Sequence, residues 1–302
     1  MYAAGFWLAI TNRTRLAACH FAAAGIGSNR GMIERATAIV LAVLAMSTAH
    51  AEPAPCPGNP DALGTARTLV VDAATTPRVG RKHFPQTLPL APKEVVLTFD
   101  DGPEPATTPR VLDALRHECV QASFFLIGRS ALAHPELVRR ERAEGHTVAH
   151  HTFAHPLLNH VPLAAAEAEI DHGFIAVDTA LYGSADHAAA GNAPEPYTPK
   201  TPFFRFPGFA SSPALLDMLE RRRIVVFGAD LWASDWNPMT PEQQLKLVLG
   251  RLAASNGGIV LFHDTKRQTA AMLPAFLRAL KAGGYQVVHV VPAPASTAAT
   301  VR

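Results

Sequence analysis

A short segment of the chain, GHTVAHHTFAHP, is rich in histidine. With His160 just after it, this region holds five of the chain's fourteen histidines. Two pairs are spaced four residues apart, His146 with His150 and His151 with His155. Imidazoles at that spacing face the same way where the backbone turns helically, as ligands of one metal ion must. The segment therefore predicts a metal site, and a cluster of surface histidines is the alternative.

Two adjacent carboxylates, Asp100 and Asp101, follow the apolar run EVVLTF in the sequence TFDDGP. Like charges at the end of a buried strand repel each other, and a bound cation relieves that repulsion. The pair therefore also indicates a metal. Because Asp-Gly-Pro is a common turn sequence, a solvated turn is the alternative.

Three further segments carry titratable residues. FFRFPGF contains Arg205, which needs a carboxylate partner if its strand is buried. DLWASDW contains Asp230 and Asp235, and LFHD ends with His263 and Asp264. All five segments come at the ends of predicted strands, and parallel sheets gather their chemistry at that edge. We therefore expect these residues to form one site.

The elements that would position these residues alternate between strands and helices. The predicted strands are residues 94–99, 122–128, 146–150, 203–206, 223–230, 258–263 and 285–291. The predicted helices are residues 107–117, 134–144, 162–182, 213–221, 241–254 and 268–281. This alternation predicts an α/β fold with a parallel sheet, and about 200 residues in one series favour a closed or nearly closed barrel over an open doubly wound sheet. His146 and His150 would point into the packing of a strand, so His151 and His155 are the preferred metal ligands.

Residues 32–51 have the features of a secretory signal peptide. MIER precedes an apolar, uncharged run at residues 36–46, and AHA forms a small-x-small cleavage site that ends at Ala51. The run is too short to anchor the chain in a bilayer. We therefore expect cleavage after Ala51, no membrane anchor afterwards, and a periplasmic or secreted protein. Residues 1–31 would be an upstream extension, and we favour Met32 as the true start over a genuine extension.

Composition limits the functional classes. The chain is 48% hydrophobic and 17% charged, as ordinary globular proteins are. Signal cleavage would remove four of the 27 basic residues and one of the 25 acidic ones, which changes the net charge from +2 to −1. Without a basic block, nucleic acid is not an expected partner. Two cysteines, Cys56 and Cys119, would remain. They form a disulfide, as export allows, or Cys119 is a buried thiol.

The remaining chain divides by composition. Residues 52–92, rich in Pro, Ala and Thr, are expected to be a linker or an N-terminal arm. Residues 93–291 would form a single catalytic domain, and residues 292–302 a flexible tail. The stretch 183–201 is long enough to be a lid or a disordered loop. The sequence does not indicate the oligomeric state.

The motifs TFDDGP, HTFAH, RFPG, DLWASDW and LFHD, in this order, resemble the five motifs of the polysaccharide deacetylases, carbohydrate esterase family 4. The resemblance covers residues 93–291. It implies a distorted (β/α)7 barrel, an N-acetylated polysaccharide as substrate and a divalent metal, usually Zn²⁺. By the same resemblance the metal would be held by Asp101, His151 and His155, which leaves a position for water or a substrate oxygen.

The resemblance also implies catalytic roles. Asp100 would be the general base, held ionised and oriented by Arg205, because an adjacent cation favours the carboxylate form. His263 would be the general acid that protonates the leaving amine. Because the fourth motif departs from the family pattern, either Asp230 or Asp235 would orient His263, and Asp235 is favoured.

Substrate contacts are implied as well. Trp236 and Leu261 would line the acetyl pocket, and a backbone N–H near Pro207 and Gly208 would bind the oxyanion together with the metal. The family usually has an aromatic residue between that proline and glycine, but here Phe209 comes after Gly208. The position of the donor is therefore defined only to within one residue.

The sequence thus predicts an exported, metal-dependent N-deacetylase of a GlcNAc-containing polymer. Peptidoglycan, chitin oligomers and poly-GlcNAc all remain open as that polymer. Three alternatives are an O-acetyl esterase acting on a glycan such as xylan, a catalytically silent sugar-binding homologue, and an imidase of small cyclic amides. The filled catalytic positions argue against the silent homologue, and export argues against the imidase.

Overall fold

The computed structural model describes residues 56–183 and 197–294. These residues belong to one compact unit, Pro53–Arg302. The predicted signal peptide, the upstream extension, most of the loop at 183–201 and the tail after residue 294 lie outside the described residues. None of the described helices combines the length and the apolar character that a membrane crossing requires.

The described part of the chain forms one ten-stranded sheet in which every pairing is parallel. The strands are β1 (Thr65–Val71), β2 (Arg78–Val79), β3 (Glu94–Asp100), β4 (Ser123–Leu126), β5 (Thr147–His150), β6 (Phe203–Phe204), β7 (Val225–Phe227), β8 (Leu231–Trp232), β9 (Gly258–His263) and β10 (Gln286–Pro292). Neighbours follow the order β8-β9-β3-β4-β5-β6-β7. Since β7 leads directly into β8 but no ladder joins the two within the described residues, this ring is a distorted and incompletely bonded barrel. The predicted fold class is confirmed.

Seven α-helices connect the strands in the described part of the chain. They are α1 (Thr108–His117), α2 (Gly128–Ala133), α3 (Pro135–Ala143), α4 (Leu163–Tyr182), α5 (Pro213–Arg221), α6 (Pro241–Ser255) and α7 (Arg267–Ala282). Six of them were predicted from the sequence to within one residue at each end. Their starts carry recognisable signals, such as the capping box formed by Thr240 and Gln243 before α6. The short helix α2 was not predicted: its first residue, Gly128, was placed at the end of the strand predicted at 122–128, and residues 129–133 were assigned to no element.

Three predicted strands differ from the structure by two or more residues. The strand predicted at 122–128 ends at Leu126, and the strand predicted at 203–206 ends at Phe204, shortly before the 3-10 turn that starts at Pro207. The strand predicted at 223–230 is divided into β7 and β8. Gly228 lies between them against the preceding segment of the chain, and a Cβ atom there would be 3.0 Å from Nδ1 of His83.

Residues 56–92 form an arm that packs on the barrel and contains β1 and β2. β1 pairs with β10, and β2 pairs with β7. Arg67 on β1 donates two hydrogen bonds to Glu94 at the start of β3, at 2.7 and 2.6 Å. A disulfide joins Cys56 to Cys119, so the pairing that the sequence left open is formed. These contacts favour the arm over the linker that the sequence also allowed.

The parallel register brings the predicted strand ends to one edge of the barrel. Asp100 lies opposite both Phe125 on β4 and His263 on β9. His150, the last residue of β5, lies opposite Leu126 on β4. Because all these strands run the same way, the segments that follow them emerge together.

A layer of aromatic side chains supports this edge. Phe99, which precedes the two carboxylates, stacks between Phe124 and Phe262 with centroid distances of 5.1 and 5.5 Å. All three side chains are fully buried. Burial of one such side chain contributes about 1.5–3 kcal/mol, so the strand ends rest on a well-packed base.

Candidate metal and catalytic site

Asp101 leaves β3 with an uncommon backbone conformation. Its φ is 76°, in the left-handed region that residues other than glycine seldom adopt. The conformation is held by the Asp101 N–H, which donates to the Phe125 carbonyl at 3.2 Å. Strain of this kind persists where the surrounding structure enforces it, which is common at functional sites.

The HTFAH turn after β5 is fixed by its neighbours. Thr152 and His155 also have positive φ, 63° and 65°. The Thr152 hydroxyl accepts a hydrogen bond from the His155 N–H at 3.0 Å, and Glu169 on α4 accepts one from the Ala154 N–H at 2.9 Å. Gly173 lets α4 approach the turn, because a Cβ atom there would be 2.6 Å from the Thr152 carbonyl carbon.

These two turns bring Asp101, His151 and His155 together. Nε2 of His155 is 3.2 Å from Oδ1 of Asp101, and Nε2 of His151 is 3.6 Å from the same oxygen. One ligand atom from each residue lies within 4.8 Å of the others. Nδ1 of His151 is 2.7 Å from the Arg205 carbonyl, which fixes the proton on Nδ1 and leaves Nε2 as a lone-pair donor.

The protonation states of this cluster suit a cation. Burial lowers the pKa of His151, so its imidazole is neutral, as a metal ligand must be. Burial opposes ionisation of Asp101, but the neighbouring imidazoles of His155, His151 and His263 outweigh it and hold the pKa of Asp101 well below its usual range. Oδ1 of Asp101 is buried and accepts no well-directed hydrogen bond from the described residues. A divalent cation would satisfy this oxygen, so the residues present fit a metal.

Asp100 is held by a buried arginine. Nη1 of Arg205 donates to Oδ1 of Asp100 at 2.6 Å and to the Thr98 hydroxyl at 3.0 Å, and Nη2 donates to the Gly228 carbonyl at 2.9 Å. The arginine side chain is 0% exposed. The other oxygen of Asp100, Oδ2, is 3.9 Å from Nε2 of His151, so the carboxylate borders the metal cluster. Sequence reasoning required a carboxylate for Arg205, and the structure supplies Asp100.

His263 is paired with Asp235. Nδ1 of His263 is 2.7 Å from Oδ1 of Asp235, and the backbone N–H of His263 donates to Oδ2 at 2.7 Å. Burial alone would lower the pKa of His263, but the hydrogen bond and charge of Asp235 raise it to about 9. Its Nε2 lies 3.9 Å from Oδ2 of Asp101. The imidazole is therefore protonated at neutral pH and faces the cluster.

Asp230, the other candidate partner of His263, is used elsewhere. Its carboxylate accepts hydrogen bonds from the Arg81 N–H, the Thr87 hydroxyl and the Ile259 N–H, each at 2.8 Å. These contacts attach the arm to the barrel. Of the two alternatives left by the sequence, the structure places Asp235 beside the imidazole.

A cavity of about 470 Å³ opens over the cluster. The predicted site residues that line it are Asp100, Asp101, His151, His155, Gly208, Trp236, Leu261 and His263. Trp236 is 48% exposed at its mouth. Pro207, which the sequence placed among the substrate contacts, is buried and does not line the cavity. Arg205 and Asp235 do not line the cavity but contact it through their hydrogen-bond partners, Asp100 and His263.

The backbone donor near Gly208 is defined more closely by the structure. The N–H groups of Phe209 and Ala210 donate to the carbonyls of Phe206 and Pro207, at 2.9 and 3.0 Å. Proline has no N–H. The Gly208 N–H has no acceptor among the described residues, and its residue lines the cavity. It is therefore an available donor beside the cavity.

Sequence reasoning missed one cavity residue from the arm, His83, and two that lie close to recognised motifs, Trp232 and Lys266. His83 comes from the arm, where its ring stacks on Phe209 with centroids 3.7 Å apart. Lys266 precedes α7, and Trp232 lines the wall next to His83. His83 lies in a segment without periodic pattern, so no local signal indicated its position. The spacing of Trp232 and Lys266 from recognised motifs was the one available hint.

The remaining histidines of the rich segment do not join the cluster. His150 is buried and packs edge-on against Phe174, with centroids 4.8 Å apart. His146 is buried, and its Nδ1 accepts a hydrogen bond from the Ala122 N–H at 3.2 Å. His160 is exposed in a short 3-10 turn. The inward packing expected for His146 and His150 is thus observed.

Comparisons with known proteins agree with this arrangement. The family described as polysaccharide deacetylase matches residues 88–185. A chitooligosaccharide deacetylase of Bradyrhizobium is 31% identical over 215 residues, which cover 66% of this chain and 90% of that protein. A peptidoglycan-N-acetylglucosamine deacetylase of Listeria monocytogenes, PgdA, is 29% identical over 245 residues, 79% of this chain. The solved structure of the Bdellovibrio bacteriovorus peptidoglycan deacetylase Bd3279 has a TM-score of 0.64 and 32% identity, and covers 76% of this chain and 60% of that one.

This chain belongs to the polysaccharide deacetylase family. The sequence resemblance was based on the five motifs, and the parallel sheet of the structure agrees with the fold that the resemblance implied. The chain spans about half the length of the Listeria protein, of which 47% is matched.

Proposed function

We propose that this protein is an exported, metal-dependent deacetylase that removes N-acetyl groups from a GlcNAc-containing polysaccharide. The observation that carries the proposal is the convergence of ligand atoms from Asp101, His151 and His155 within 4.8 Å, in a cavity that Asp100 and His263 also line. The names of the relatives, which are peptidoglycan and chitooligosaccharide deacetylases, support the substrate class.

The proposed metal is Zn²⁺, held by Asp101, His151 and His155. Two imidazoles and one carboxylate are a common donor set for catalytic zinc. When bound, a divalent cation would polarise the acetyl carbonyl and lower the pKa of a bound water.

Asp100 is the proposed general base. It borders the cluster and can accept the proton of the attacking water, because its second oxygen, Oδ2, faces His151. Arg205 donates to the other oxygen at 2.6 Å and fixes the orientation of the carboxylate. Arg205 is thus a positioning residue that acts through Asp100.

His263 is the proposed general acid. Its pKa of about 9 keeps the imidazole charged at neutral pH, so a proton is available for the departing amine. Asp235 binds Nδ1 and so directs Nε2 toward the cluster. The Gly208 N–H is the proposed donor to the developing oxyanion, and Trp236 and Leu261 are the proposed walls of the acetyl pocket.

Export is proposed on two observations. The sequence of residues 32–51 has the pattern of a cleavable signal. The disulfide between Cys56 and Cys119 is of the kind that persists in oxidising compartments. A periplasmic or extracellular location also gives access to wall and matrix glycans.

Acetate release from purified protein tests the function. The substrates are N-acetylglucosamine oligomers, peptidoglycan fragments and acetylated xylan, each assayed before chelation, after chelation and after Zn²⁺ is restored. We expect release from the amide substrates, loss on chelation and recovery with Zn²⁺. Release from xylan alone would reassign the protein as an O-acetyl esterase, and metal binding without release from any substrate would support a silent homologue.

A further inference from the structure

Two lysines beside the cavity have no carboxylate partner. Lys266 lines the cavity itself. Lys82, on the arm, has its Nζ atom 5.4 Å from the centroid of Trp232, which lines the same cavity. Among the described residues no carboxylate lies within 4.0 Å of either ammonium group. Most surface lysines need no explanation, but these two border a proposed substrate site.

The negative charges of the cavity are already matched. Its acidic lining residues are Asp100 and Asp101. Arg205 neutralises Asp100 at 2.6 Å. A divalent cation held by Asp101, His151 and His155 would offset the charge of Asp101. The lysines therefore contribute positive potential that no carboxylate of the cavity offsets.

The backbone of the arm holds Lys82 in place. The Lys82 N–H donates to the Ala229 carbonyl at 2.9 Å, and the next residue, His83, is stacked on Phe209. The preceding N–H, from Arg81, is bonded to Asp230. Three consecutive residues of the arm are thus attached to the barrel wall. The backbone from which the Lys82 side chain extends is therefore fixed near Trp232.

Burial, with the nearby cations of Arg205 and Lys82, lowers the pKa of His83 to about 4. The His83 imidazole is therefore neutral, and it serves as an aromatic wall rather than as a third cation. Trp236, at the cavity mouth, offers a second aromatic face on which a sugar ring can pack. A glycan packed on these aromatic faces would lie near Lys266, which lines the cavity, and near Lys82, which lies over Trp232.

We propose that Lys82 and Lys266 form an anion subsite beside the acetyl site, which selects an N-acetylated glycan whose adjacent sugar bears a carboxylate. This inference rests on the proposed function and names its substrate class more closely. Peptidoglycan strands have this chemistry, since a lactyl ether without a peptide stem ends in a carboxylate, and a stem, where present, carries carboxylates of its own. Chitin oligomers and poly-GlcNAc, which are neutral, lack it.

The expected size of the substrate preference follows from the solvent exposure of the lysine–carboxylate pairs. Charge pairs at a solvated surface are weak and are screened by salt, so each lysine should change the preference by about two- to fivefold. Long-range attraction acts mainly on substrate capture. We therefore expect the preference for a charged substrate to appear as a lower KM more than as a higher kcat.

The test compares kcat/KM for one soluble peptidoglycan glycan fragment with its carboxylates free and with the same carboxylates amidated. Wild-type protein should prefer the free acid by about four- to twenty-five-fold at low salt, and added salt should reduce this ratio. Lys82→Gln and Lys266→Gln should each lower the ratio about two- to fivefold, and the double variant should bring it near one. Lys246→Gln, which removes a lysine from the exposed face of α6, is the matched control and should retain the wild-type ratio.

Each outcome separates this inference from the proposed function. Equal activity of the wild type on the free and amidated fragments would overturn the anion subsite and leave the deacetylase in place. A preference that survives in the double variant would assign the selection to other residues and also overturn it. If no acetate is released from either fragment or from neutral oligomers, the proposed function itself fails.

Discussion

At the scale of single residues, Asp100 is both the proposed general base and the counter-charge of the buried Arg205. The substitution Asp100→Asn tests both roles with two separate measurements. Asp100→Asn removes the proposed base but keeps the side chain's shape, so the metal cluster should still fill. We expect kcat for acetate release to fall by about 10²–10⁴-fold with an unchanged metal content, measured on the same sample by elemental analysis. Stability should also fall by about 3–5 kcal/mol, because Arg205 is left buried without its counter-charge.

A surface aspartate provides the control for this substitution. Asp217, whose side chain is 62% exposed, pairs with Arg78 at 3.2 Å. Asp217→Asn should change neither kcat nor metal content, and stability by less than about 0.5 kcal/mol. Full activity of Asp100→Asn would assign the base to another residue.

The residues with catalytic chemistry could be predicted from the sequence to a large extent. The carboxylates and imidazoles of the motifs come directly after buried strands, and parallel strands must release their ends at one edge. His83 and Lys266 could not be predicted in this way. Their place in the cavity depends on how the arm and α7 pack, which leaves no periodic trace in the sequence.

The choice between Asp230 and Asp235 also needed coordinates. Both stand near the end of one predicted strand, and each is an acid that a histidine could pair with. The division of that strand into β7 and β8 decides the outcome, because it leaves Asp230 facing the arm and Asp235 facing His263. A local pattern could not show where this strand is interrupted.

At the scale of elements, the HTFAH turn depends on how closely α4 approaches it. Gly173→Ala places a methyl group 2.6 Å from the Thr152 carbonyl carbon, so the helix or the turn must move. We expect a loss of about 1–3 kcal/mol in stability. Displacement of His155 should also weaken Zn²⁺ binding at least tenfold, measured by titration of the metal-free protein.

Another helical glycine gives a matched comparison. A Cβ atom at Gly250, on α6, meets nothing within 4 Å. Gly250→Ala should therefore raise stability by about 0.5–1 kcal/mol and leave Zn²⁺ affinity unchanged. Unaltered metal affinity in Gly173→Ala would show that the turn does not need this close approach.

The ion pair between Arg67 and Glu94 attaches strand β1 to strand β3 and gives stability a defined pH dependence. The hydrogen bond from Arg67 lowers the pKa of Glu94, burial opposes the shift, and the Ala91 N–H supports it. A carboxylate with a lowered folded-state pKa stabilises the protein fully above its unfolded pKa, about 4.3, and this contribution is lost as pH falls through the folded value.

Glu94→Gln should therefore lower stability by about 1–2 kcal/mol at pH 7, a value reduced because Arg67 is 38% exposed. The difference from wild type should shrink as the pH falls below about 4, measured by urea unfolding across pH. Glu220→Gln breaks an exposed pair with Arg78 and should cost less than about 0.5 kcal/mol. A Glu94 difference that grows on acidification would contradict the sign of the shift.

Element prediction succeeded where periodicity was strong. The helices α5 and α6 begin at proline after a capping Ser212 or Thr240, and both starts were predicted to the residue. Strand β1 was missed because its first six residues alternate between half-buried and exposed and only Val71 is buried, which gives little contrast in hydrophobicity. Its pairing with β10, more than 200 residues later in the chain, could not be inferred from local sequence.

At the scale of the whole molecule, the arm contributes to stability and to the cavity wall through separate attachments. It starts at the disulfide, continues through β1 and the Arg67–Glu94 pair, and reaches the cavity at His83. The attachments between Cys56 and His83 are independent of the disulfide. Loss of the covalent link should therefore leave the cavity wall in place while the protein remains folded.

Removal of the disulfide tests this independence. The Cys56→Ser, Cys119→Ser double variant opens a link between residues 63 apart in sequence, and the freed unfolded chain gains entropy. We expect a loss of about 2–4 kcal/mol in the free energy of unfolding, measured in urea. Under conditions where the variant stays folded, kcat/KM should remain within about twofold of wild type, because β1 and Asp230 still hold the arm. Reductant should destabilise the wild type to the same extent and leave the variant unaffected, whereas a folded variant that has lost its activity would show that the disulfide itself positions the arm at the site.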